Sequence, residues 1–292
     1  LYYIWVFFKR VKPDIVHLIT IKPYLYGGII SRLTGVQALV SAVSGLGTLF
    51  VNKDFKSKLL RIPLYPLYKF AFNHSNQKII LQNYEDLKIL INWGVLNLSK
   101  IKLIKGSGVK LENFLNLDEP VGIPTVCFAA RLLRDKGVFE YISAARLLKE
   151  RGIKARFLLA GDLDTNNPTG LNLDDLNKLK DQGYVEFIGY HQDIPTLYAK
   201  SHIICLPSYR EGFPKSLIEA AAANRAVVTT DVPGCRDAII PNKSGLLVPV
   251  RDSQKLADAL QRLIENPKER ITMGIAGRKL AEKEKQTKKI VN

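Results

Sequence analysis

The feature that most constrains the fold of this sequence is an alternation of short apolar runs with longer helix-like segments. In the second half, the runs TVCFAA, ARFLLAG, VEFIG, IICLP, AVVTT and GLLVPV are each followed by a helical stretch. This rhythm is typical of parallel βαβ units, and continuous apolar runs indicate strands buried on both faces of a sheet. The sequence therefore predicts an α/β fold.

The first part of the chain has the same rhythm. The runs IVHLI, ALVSAV, KIILQ and IKLI alternate with helix-like segments at 24–33, 55–72 and 84–93. Gly106-Ser-Gly108 and the polar stretch that follows it are typical of a domain boundary. We therefore predict two domains, residues 1–113 and residues 114–292.

The beginning of the chain has an unusual composition. LYYIWVFFKR resembles an amphipathic helix that leads into the first apolar run. Its apolar stretch is far shorter than the ~20 residues that span a bilayer, and no small-residue cleavage site follows it. We interpret the chain as starting inside its first domain, which then lacks its first strands.

Two glutamates flank the start of a predicted helix in the second half. Glu211 lies in a loop containing glycine and proline, Pro214 suits the first helical position, and Glu219 lies two turns further on. A helix N-terminus with uncapped N–H groups attracts phosphates. Phosphate-binding N–H groups flanked by two carboxylates suit a molecule with a diphosphate, a sugar and a ribose, which describes a nucleotide sugar.

The spacing of Glu211 and Glu219 around Gly-Phe-Pro resembles the donor signature of retaining glycosyltransferases of family 4. Upstream, FAARLLRDKG resembles the family's loop in which an Arg and a Lys clamp the donor diphosphate; here these are Arg131 and Lys136. The segments LLAGDLD, VEFIGYHQDIPTLYAKSHIICLPS, TTDVPGCRDAI and SGLLVPVRD follow in the family's order. The match is dense from about residue 120 to residue 265 and looser over 12–115.

The resemblance implies a GT-B fold, in which two Rossmann-like domains face each other across a cleft, and retaining sugar transfer from a uridine diphosphate donor. Glu211 is then expected to bind sugar hydroxyls and Glu219 the ribose. Ser44 matches a position where many relatives carry a His, so only its hydroxyl is available to a reacting oxygen. The expected catalytic residues are Glu211, Arg131, Lys136 and Ser44, and the expected donor-binding residues are Gly189, Gly212, Phe213, Pro214, Lys215, Ser216 and Glu219.

We expect neither a metal nor a cofactor, since the nucleotide sugar is a substrate. Asp162-Leu-Asp164 resembles the metal-binding motif of another glycosyltransferase fold, but here it follows a predicted strand and is interpreted as capping a loop. The three cysteines and four histidines are scattered without metal-ligand spacing. We interpret the cysteines as small buried apolar residues of a reducing compartment.

The charge of the chain is concentrated in its first part. Residues 1–113 contain 16 Lys and Arg against 5 Asp and Glu, a net charge of +11, whereas the remainder carries +5 of the total +16. The segment 50–72 interleaves basic and apolar residues, which favours an anionic membrane surface but also describes an ordinary solvated helix face. We predict that Pro63 and Pro66 break this segment.

A narrower resemblance concerns the acceptor. Segments 16–27 and 44–47 resemble enzymes that extend undecaprenyl-diphosphate sugars with a hexosamine. We therefore expect a polyprenyl-diphosphate-linked or glycan acceptor and a peripheral position on the inner face of the cell membrane. Nucleic acid is not expected as a partner, because no nucleic-acid-binding motif accompanies the basic charge.

Three alternatives stay open. Glu211 and Glu219 are also compatible with an ordinary helix start and a solvated face. A sugar-nucleotide epimerase has the same GT-B fold. A catalytically impaired fragment that binds nucleotide sugar is a third reading.

Overall fold

The computed structural model describes residues 1–46, 50, 55–114 and 118–285. The chain divides into two compact units, Leu1–Gly106 and Ser107–Asn292. Each unit contains one parallel sheet with connecting helices, which confirms the predicted α/β class. The predicted domain boundary, between residues 113 and 114, stays a prediction.

The first unit has four parallel strands in the order β1-β2-β3-β4. Its sequence of elements follows the predicted rhythm closely. A cluster of aromatic residues, Tyr24, Tyr68 and Phe72 among them, packs against this sheet. The elements are α1 (Tyr2–Val11), β1 (Ile15–Ile19), α2 (Ile21–Thr34), β2 (Ala38–Val43), α3 (Phe55–Ala71), β3 (Gln77–Leu81), α4 (Tyr84–Asn92), a 3₁₀ turn (Leu98–Lys100) and β4 (Ile101–Leu103).

Helix α3 corrects one prediction about the basic segment. Pro63 and Pro66 lie inside a continuous helix and do not end it. Proline removes a helical hydrogen bond, but tertiary packing supplies most helix stability in proteins. The buried side chains of Tyr68 and Ala71 provide that packing here.

The beginning of the chain forms the predicted helix, but none of the residues of α1 is buried. Strand β1 also differs from the expectation of burial on both faces. Its residues alternate between buried and exposed, so one face of β1 is covered and the other is not. In the described part of the chain, no helix combines the length and the apolarity needed to cross a membrane.

The second unit alternates strands and helices throughout. It begins with a 3₁₀ turn at Leu111–Asn113 and carries another at Arg134–Lys136. Its elements are β5 (Thr125–Ala129), α5 (Val138–Glu150), β6 (Arg156–Ala160), α6 (Leu173–Asp181), β7 (Glu186–Gly189), α7 (Ile194–Ala199), β8 (Ile203–Leu206), α8 (Lys215–Ala222), β9 (Ala226–Thr230), α9 (Pro233–Ala238), β10 (Gly245–Val248), α10 (Ser253–Glu265), α11 (Pro267–Leu280) and a π-helical turn (Ala281–Lys285).

The strand order of the second sheet is β10-β9-β8-β5-β6-β7. The chain builds outward from β5 to β7 and then returns to place β8 on the other side of β5. Strands β8 and β9 are buried along their whole length, as the continuous apolar runs predicted. In open parallel sheets, ligands bind beyond the carboxyl ends of the strands where the order reverses. In this sheet the order reverses between β5 and β8, so a ligand site is expected at the loops that follow these two strands.

Helices α8 and α11 of the second unit pack against each other through small residues. The buried alanines of α8 lie against α11, and a Cβ added to Gly277 would meet Ala221 at an ordinary contact distance. Within the described residues, α11 packs on α8 and β9 of its own unit. The resemblance to family 4 also implies that the charged helical tail from about Pro267 returns to the first domain, as in many family members, and that arrangement stays a prediction.

All three cysteines are free and buried. Burial raises the pKa of Cys127 and Cys235 to about 12 and raises that of Cys205 further. The thiols are therefore protonated at neutral pH, which agrees with the interpretation of these residues as apolar core residues.

Candidate active site

Backbone and hydroxyl hydrogen bonds join the loops after β5 and β8. The carbonyl of Asp135 accepts from the amide of Tyr209 at 2.8 Å and from the hydroxyl of Ser208 at 3.0 Å. Gly137 lies two residues after Asp135 at φ +78°, and a Cβ there would overlap the carbonyl oxygen of Pro207. The two loops are thus held in direct contact at the reversal of strand order.

This contact brings together Lys136 and Glu211. The Nζ of Lys136 donates to Oε1 of Glu211, and their side chains are only 21% and 11% exposed. An ion pair at this depth is screened less than a surface pair. The predicted cation after β5 and the predicted carboxylate after β8 therefore occupy one site.

Helix α9 supports the backbone of Glu211 from the other side. A Cβ on Gly234, in the first turn of α9, would lie 2.6 Å from the carbonyl oxygen of Glu211 and closer still to that of Gly212. Only a glycine permits this approach without moving the loop. Gly234 is therefore part of what positions Glu211.

The start of α8 differs by one residue from the prediction. Pro214 is the N-cap, with extended φ −71° and ψ 121°, and the helix begins at Lys215. The reason is that the chain turns into the helix only after the buried Phe213-Pro214 step. No side chain caps this N-terminus, so the N–H groups of Lys215 and Ser216 are available to an anion, as such termini allow.

Glu219 lies one turn into α8 and pairs with Lys215 at 3.2 Å. Its side chain is 13% exposed, whereas that of Lys215 is 67% exposed. Burial raises the pKa of Glu219 from its ordinary value, and Lys215 opposes this shift. An ionised Glu219 would thus gain from further hydrogen-bond donors supplied by a ligand.

Arg131 occupies the loop after β5 and contacts the loop after β6. Its Nη1 lies 2.6 Å from Oδ2 of Asp164. The amide of Leu132 donates to the carbonyl of Asp162 at 3.0 Å, which aligns the two loops. The interpretation of Asp164 as a loop cap was incomplete, because its carboxylate binds Arg131.

These groups surround a cavity of about 780 Å³ within the second unit. Five of the predicted residues line it: Arg131, Lys136, Lys215, Ser216 and Glu219. Glu211 adjoins it through its ion pair with Lys136. The remaining lining residues are Asn113, Phe114, Ala129, Ala130, Ala160, Gly161, Asp162, Leu163, Asp164, Tyr190, His191, Gln192, Ile194, Pro195 and Tyr198.

Other predicted residues shape the site without lining the cavity. Gly212, Phe213 and Pro214 are buried in the turn before α8. Gly189, at φ +68°, ends β7 and its carbonyl accepts from Gly161 at 2.8 Å. Tyr190, which follows this turn, lines the cavity.

Ser44 belongs to the first unit and is exposed directly after β2. Gly45 follows it with φ +150°, and Gly47 lies outside the described residues. The role expected for Ser44 at a reacting oxygen stays a prediction.

Sequence reasoning missed two features of this cavity. It did not assign Asp164 to Arg131, although the position of Asp164 just after a strand end was the available signal. It also missed Tyr198, whose buried hydroxyl has no hydrogen-bond partner in the described part of the structure. No sequence signal distinguishes such a tyrosine from an ordinary core residue.

Within the ranges that the structure describes, no group of three or more His, Cys, Asp or Glu side chains could hold a metal ion. Metal independence of the reaction stays a prediction. The positive charge of the site is provided by Arg131, Lys136 and Lys215.

Comparison with known proteins agrees with this geometry. The family described as glycosyl transferases group 1 matches residues 110–280, which is more than half of the chain. The chain belongs to this glycosyltransferase family. A second family, glycosyl transferase 4-like, matches residues 2–83. The chain is therefore a glycosyltransferase, as its motifs predicted.

Two bacterial relatives illustrate the similarity. The N,N'-diacetylbacillosaminyl-diphospho-undecaprenol alpha-1,3-N-acetylgalactosaminyltransferase of Campylobacter jejuni is 31% identical over 281 residues, covering 91% of this chain and 71% of the relative. The UDP-Gal:alpha-D-GlcNAc-diphosphoundecaprenol alpha-1,3-galactosyltransferase of Escherichia coli is 28% identical over 272 residues, covering 88% and 68%.

Among solved structures, Anabaena HepE in complex with UDP and glucose has a TM-score of 0.78. It is 18% identical, and the match covers 98% of this chain and 78% of HepE. Sucrose-phosphate synthase from Thermosynechococcus elongatus matches with a TM-score of 0.79 at 22% identity, covering 98% of this chain and 73% of that structure. These similarities confirm the GT-B fold.

Proposed function

We propose that this glycosyltransferase transfers a hexose or N-acetylhexosamine from a UDP-sugar to a lipid-linked or glycan acceptor, with retention of anomeric configuration. The observation that carries the donor assignment is the convergence of Arg131, Lys136, Lys215 and Glu219 on one cavity, with Glu211 beside it. This convergence occurs where the strand order reverses, the usual position of nucleotide sites in such sheets.

The diphosphate binds to the basic side of the cavity in this proposal. Arg131 and Lys136 contact its oxygens, and the uncapped N-terminus of α8 offers the N–H groups of Lys215 and Ser216. As the bond to the sugar breaks, negative charge grows on the departing diphosphate. Fixed cations and N–H groups stabilise that charge, so we propose that the reaction needs no metal.

The two glutamates take the hydroxyl groups of the donor. Glu211 accepts hydrogen bonds from the transferred sugar, and Glu219 accepts from both ribose hydroxyls, for which a carboxylate is a natural bidentate acceptor. The raised pKa of Glu219 reflects a desolvated carboxylate, and ribose donors would compensate it.

Transfer breaks the bond between the sugar C1 and the diphosphate oxygen and forms a bond from C1 to the acceptor oxygen. Retention places the acceptor on the face that the leaving group vacates. The hydroxyl proton of the acceptor therefore passes to the departing diphosphate oxygen, and we assign no side chain as general base.

The acceptor proposal is supported by the names of the relatives. Both the Campylobacter jejuni and the Escherichia coli enzymes are named for diphospho-undecaprenol acceptors and alpha-1,3 products. An α-linked product from an α-linked nucleotide sugar requires retention. A relative from Staphylococcus aureus, 27% identical over 292 residues, is named for capsular polysaccharide biosynthesis. We therefore propose a role in cell-envelope polysaccharide or glycan synthesis.

Helix α3 supports a position at the inner membrane surface. Leu59, Leu60 and Ile62 are more than half exposed, and Lys69, about two turns further along the helix, is also exposed. Exposed apolar side chains interleaved with cations favour an anionic bilayer by about 1 kcal/mol for each near-surface charge. Lys53 lies outside the described residues, as do the side chains of Lys56 and Lys58.

Calorimetry tests the donor assignment. We expect micromolar binding of a uridine diphosphate sugar in preference to guanosine and adenosine diphosphate sugars, unchanged by a chelator and lost in Arg131→Ala/Lys136→Ala. Retained binding in this double variant would refute the proposed diphosphate site. A requirement for divalent metal would refute metal independence.

A transfer assay with a synthetic polyprenyl-diphosphate sugar tests the rest. The expected product is an α-linked disaccharide lipid, identified by the anomeric coupling in its NMR spectrum. A β-linked product would refute retention. Donor binding with an epimerised nucleotide sugar as product would favour an epimerase, and binding without turnover on any acceptor would favour a binding fragment.

A further inference from the structure

Every Lys and Arg side chain that lines the described donor cavity already contacts a carboxylate. Arg131 binds Asp164 at 2.6 Å, Lys136 binds Glu211, and Lys215 binds Glu219 at 3.2 Å. A diphosphate that enters this cavity therefore competes with carboxylates for these cations. Each displaced carboxylate then needs a new partner or must return to water.

On the proposed function, two of the three carboxylates find such partners in the donor. Glu211 receives hydroxyls of the sugar, and Glu219 receives hydroxyls of the ribose. Asp164 follows β6 instead of β8, and the proposed binding mode assigns no donor hydroxyl to it. Its contact with Arg131 thus needs a different explanation.

We propose that Asp164 competes with the donor diphosphate for Arg131 and so promotes release of the nucleoside diphosphate. In the free protein Asp164 holds Arg131. When the donor binds, the guanidinium turns to the diphosphate, and when the nucleoside diphosphate leaves, Asp164 takes Arg131 back. Asp164 is a positioning residue in this scheme, because it acts through Arg131 and touches no reacting atom.

The exposure of the pair makes this exchange inexpensive. The side chain of Arg131 is 61% exposed and that of Asp164 is 26% exposed. Exposed pairs contribute little net stability, and a displaced Asp164 is rehydrated without a large desolvation cost. A diphosphate carries more charge than a carboxylate and binds guanidinium bidentately, so it wins while it is present.

The backbone keeps Asp164 within reach after Arg131 has turned. The amide of Leu132 donates to Asp162 at 3.0 Å, and the amide of Arg134 donates to Thr169 at 2.7 Å. The carbonyl of Asp164 itself accepts from Asn167 at 3.0 Å. The bonds of Leu132 and Arg134 join the loop after β5 to the loop after β6, and the bond of Asn167 holds Asp164 within its own loop.

Binding of UDP and of inorganic diphosphate to Asp164→Asn tests the proposal on the full chain. We expect about fivefold tighter binding of each ligand, an effect typical of removing one partly screened charge, with slower dissociation of UDP in stopped-flow measurements. Asp162→Asn is the matched control. Asp162 lines the same cavity, and its described contact with the neighbouring loop uses its backbone carbonyl.

A double-mutant cycle separates competition for Arg131 from a general charge effect. In an Arg131→Ala background, Asp164→Asn is expected to leave the affinity for UDP unchanged. Weaker binding in Asp164→Asn would overturn the proposal, because Asp164 would then orient Arg131 for the ligand. An equal gain in Asp162→Asn, or a gain that survives Arg131→Ala, would also overturn it.

The proposal rests on the proposed donor site, and the same measurements separate the two. Absence of UDP binding to the unmodified chain would overturn both. Binding of UDP that depends on Arg131 but does not respond to Asp164→Asn would overturn the competition alone. A gain that depends on Arg131 would support both.

Discussion

Lys136 and Glu211 form an ion pair that joins the loops after two adjacent strands, β5 and β8. The two residues are 75 positions apart in the sequence, and both side chains are largely buried. Removing one partner of a largely buried ion pair leaves the charge of the other uncompensated. Each of these two residues therefore positions the other before any ligand arrives.

The first prediction concerns Glu211→Gln, which keeps the shape of the side chain and removes its charge. We expect sugar transfer to fall at least ~100-fold, the scale of losing a group that acts on the transition state. Binding of UDP-sugar should change by less than about fivefold, since Lys136 gains freedom to bind the diphosphate while a sugar contact is lost. Calorimetry and single-turnover kinetics measure the two quantities separately.

Glu265→Gln is a suitable control for Glu211→Gln. Glu265 ends α10 and is exposed on the surface of the same unit, so its substitution should change neither quantity. Full turnover in Glu211→Gln on a verified acceptor would refute the catalytic role proposed for Glu211.

The second prediction concerns Gly234→Ala. The added Cβ would lie 2.6 Å from the carbonyl oxygen of Glu211, so the loop must move. Displacement of a catalytic group by about 1 Å costs about 100-fold in rate, and strain of this kind costs about 1–3 kcal/mol of stability. Turnover and the thermal midpoint measured together test this expectation.

Gly277→Ala provides the comparison for Gly234→Ala. Its Cβ would meet Ala221 at an ordinary 3.4 Å, and alanine in a helix is favoured over glycine by about 0.5–1 kcal/mol. It should retain full activity. If Gly234→Ala lost stability but kept its turnover number, Gly234 would have no part in positioning Glu211.

The apolar runs of the sequence were sufficient to predict the strands of both sheets. Runs such as IICLP and AVVTT correspond to β8 and β9 because burial on both faces of a parallel sheet leaves a continuous apolar signature. Helix α3 was mispredicted at Pro63 and Pro66 because the packing of Tyr68 is a tertiary effect that local propensity does not contain.

The residues of the candidate site also divide into those that the sequence predicted and those that depend on tertiary structure. Arg131 and Lys136 were predicted from the resemblance to family 4, and Glu219 from that resemblance and its place at a helix start; all three line the cavity. The ion pair between Arg131 and Asp164 depends on which loops the strand order brings together. The close approach of Gly234 to Glu211 likewise depends on how the loops after β8 and β9 lie relative to each other, which no local sequence pattern specifies.

The third prediction concerns the ion pair between Arg270 and Glu119, whose side chains are 5% and 11% exposed. Arg270 also donates to the carbonyls of Leu263 and Ile264 at the end of α10. Removing one partner of a buried pair costs about 3–5 kcal/mol. Arg270→Met should therefore lower the free energy of unfolding by that amount, measured by urea denaturation.

Arg262→Met is the matched control for Arg270→Met. Arg262 binds Glu269 at 2.5 Å, but their side chains are 52% and 29% exposed. A surface pair contributes about 0–1 kcal/mol, so this variant should lose less than that. Equal losses in the two variants would show that burial does not determine the strength of these pairs.

The last prediction concerns the pH dependence of donor binding through Glu219. Burial raises the pKa of this carboxyl, and Lys215 partly opposes the shift. The ionised form is the one that accepts ribose hydroxyls, so affinity for UDP should fall as pH decreases through this raised pKa. Glu219→Gln should bind UDP about tenfold more weakly at neutral pH and should lack this component of the pH dependence.

Glu219 should affect the stability of the fold in the direction opposite to its effect on UDP affinity. A carboxyl whose pKa is higher in the folded state than in the unfolded state destabilises the fold above its folded pKa, and the cost disappears as pH falls toward the unfolded pKa. Glu219→Gln should therefore have a higher thermal midpoint than the unmodified chain at neutral pH, with the difference shrinking as the solution is acidified. The diphosphate of UDP titrates in the same way with the unmodified chain and with Glu219→Gln. Only the difference between the two pH profiles of UDP affinity therefore reports on Glu219. If these two affinity profiles were parallel, the raised pKa of Glu219 would play no part in donor binding.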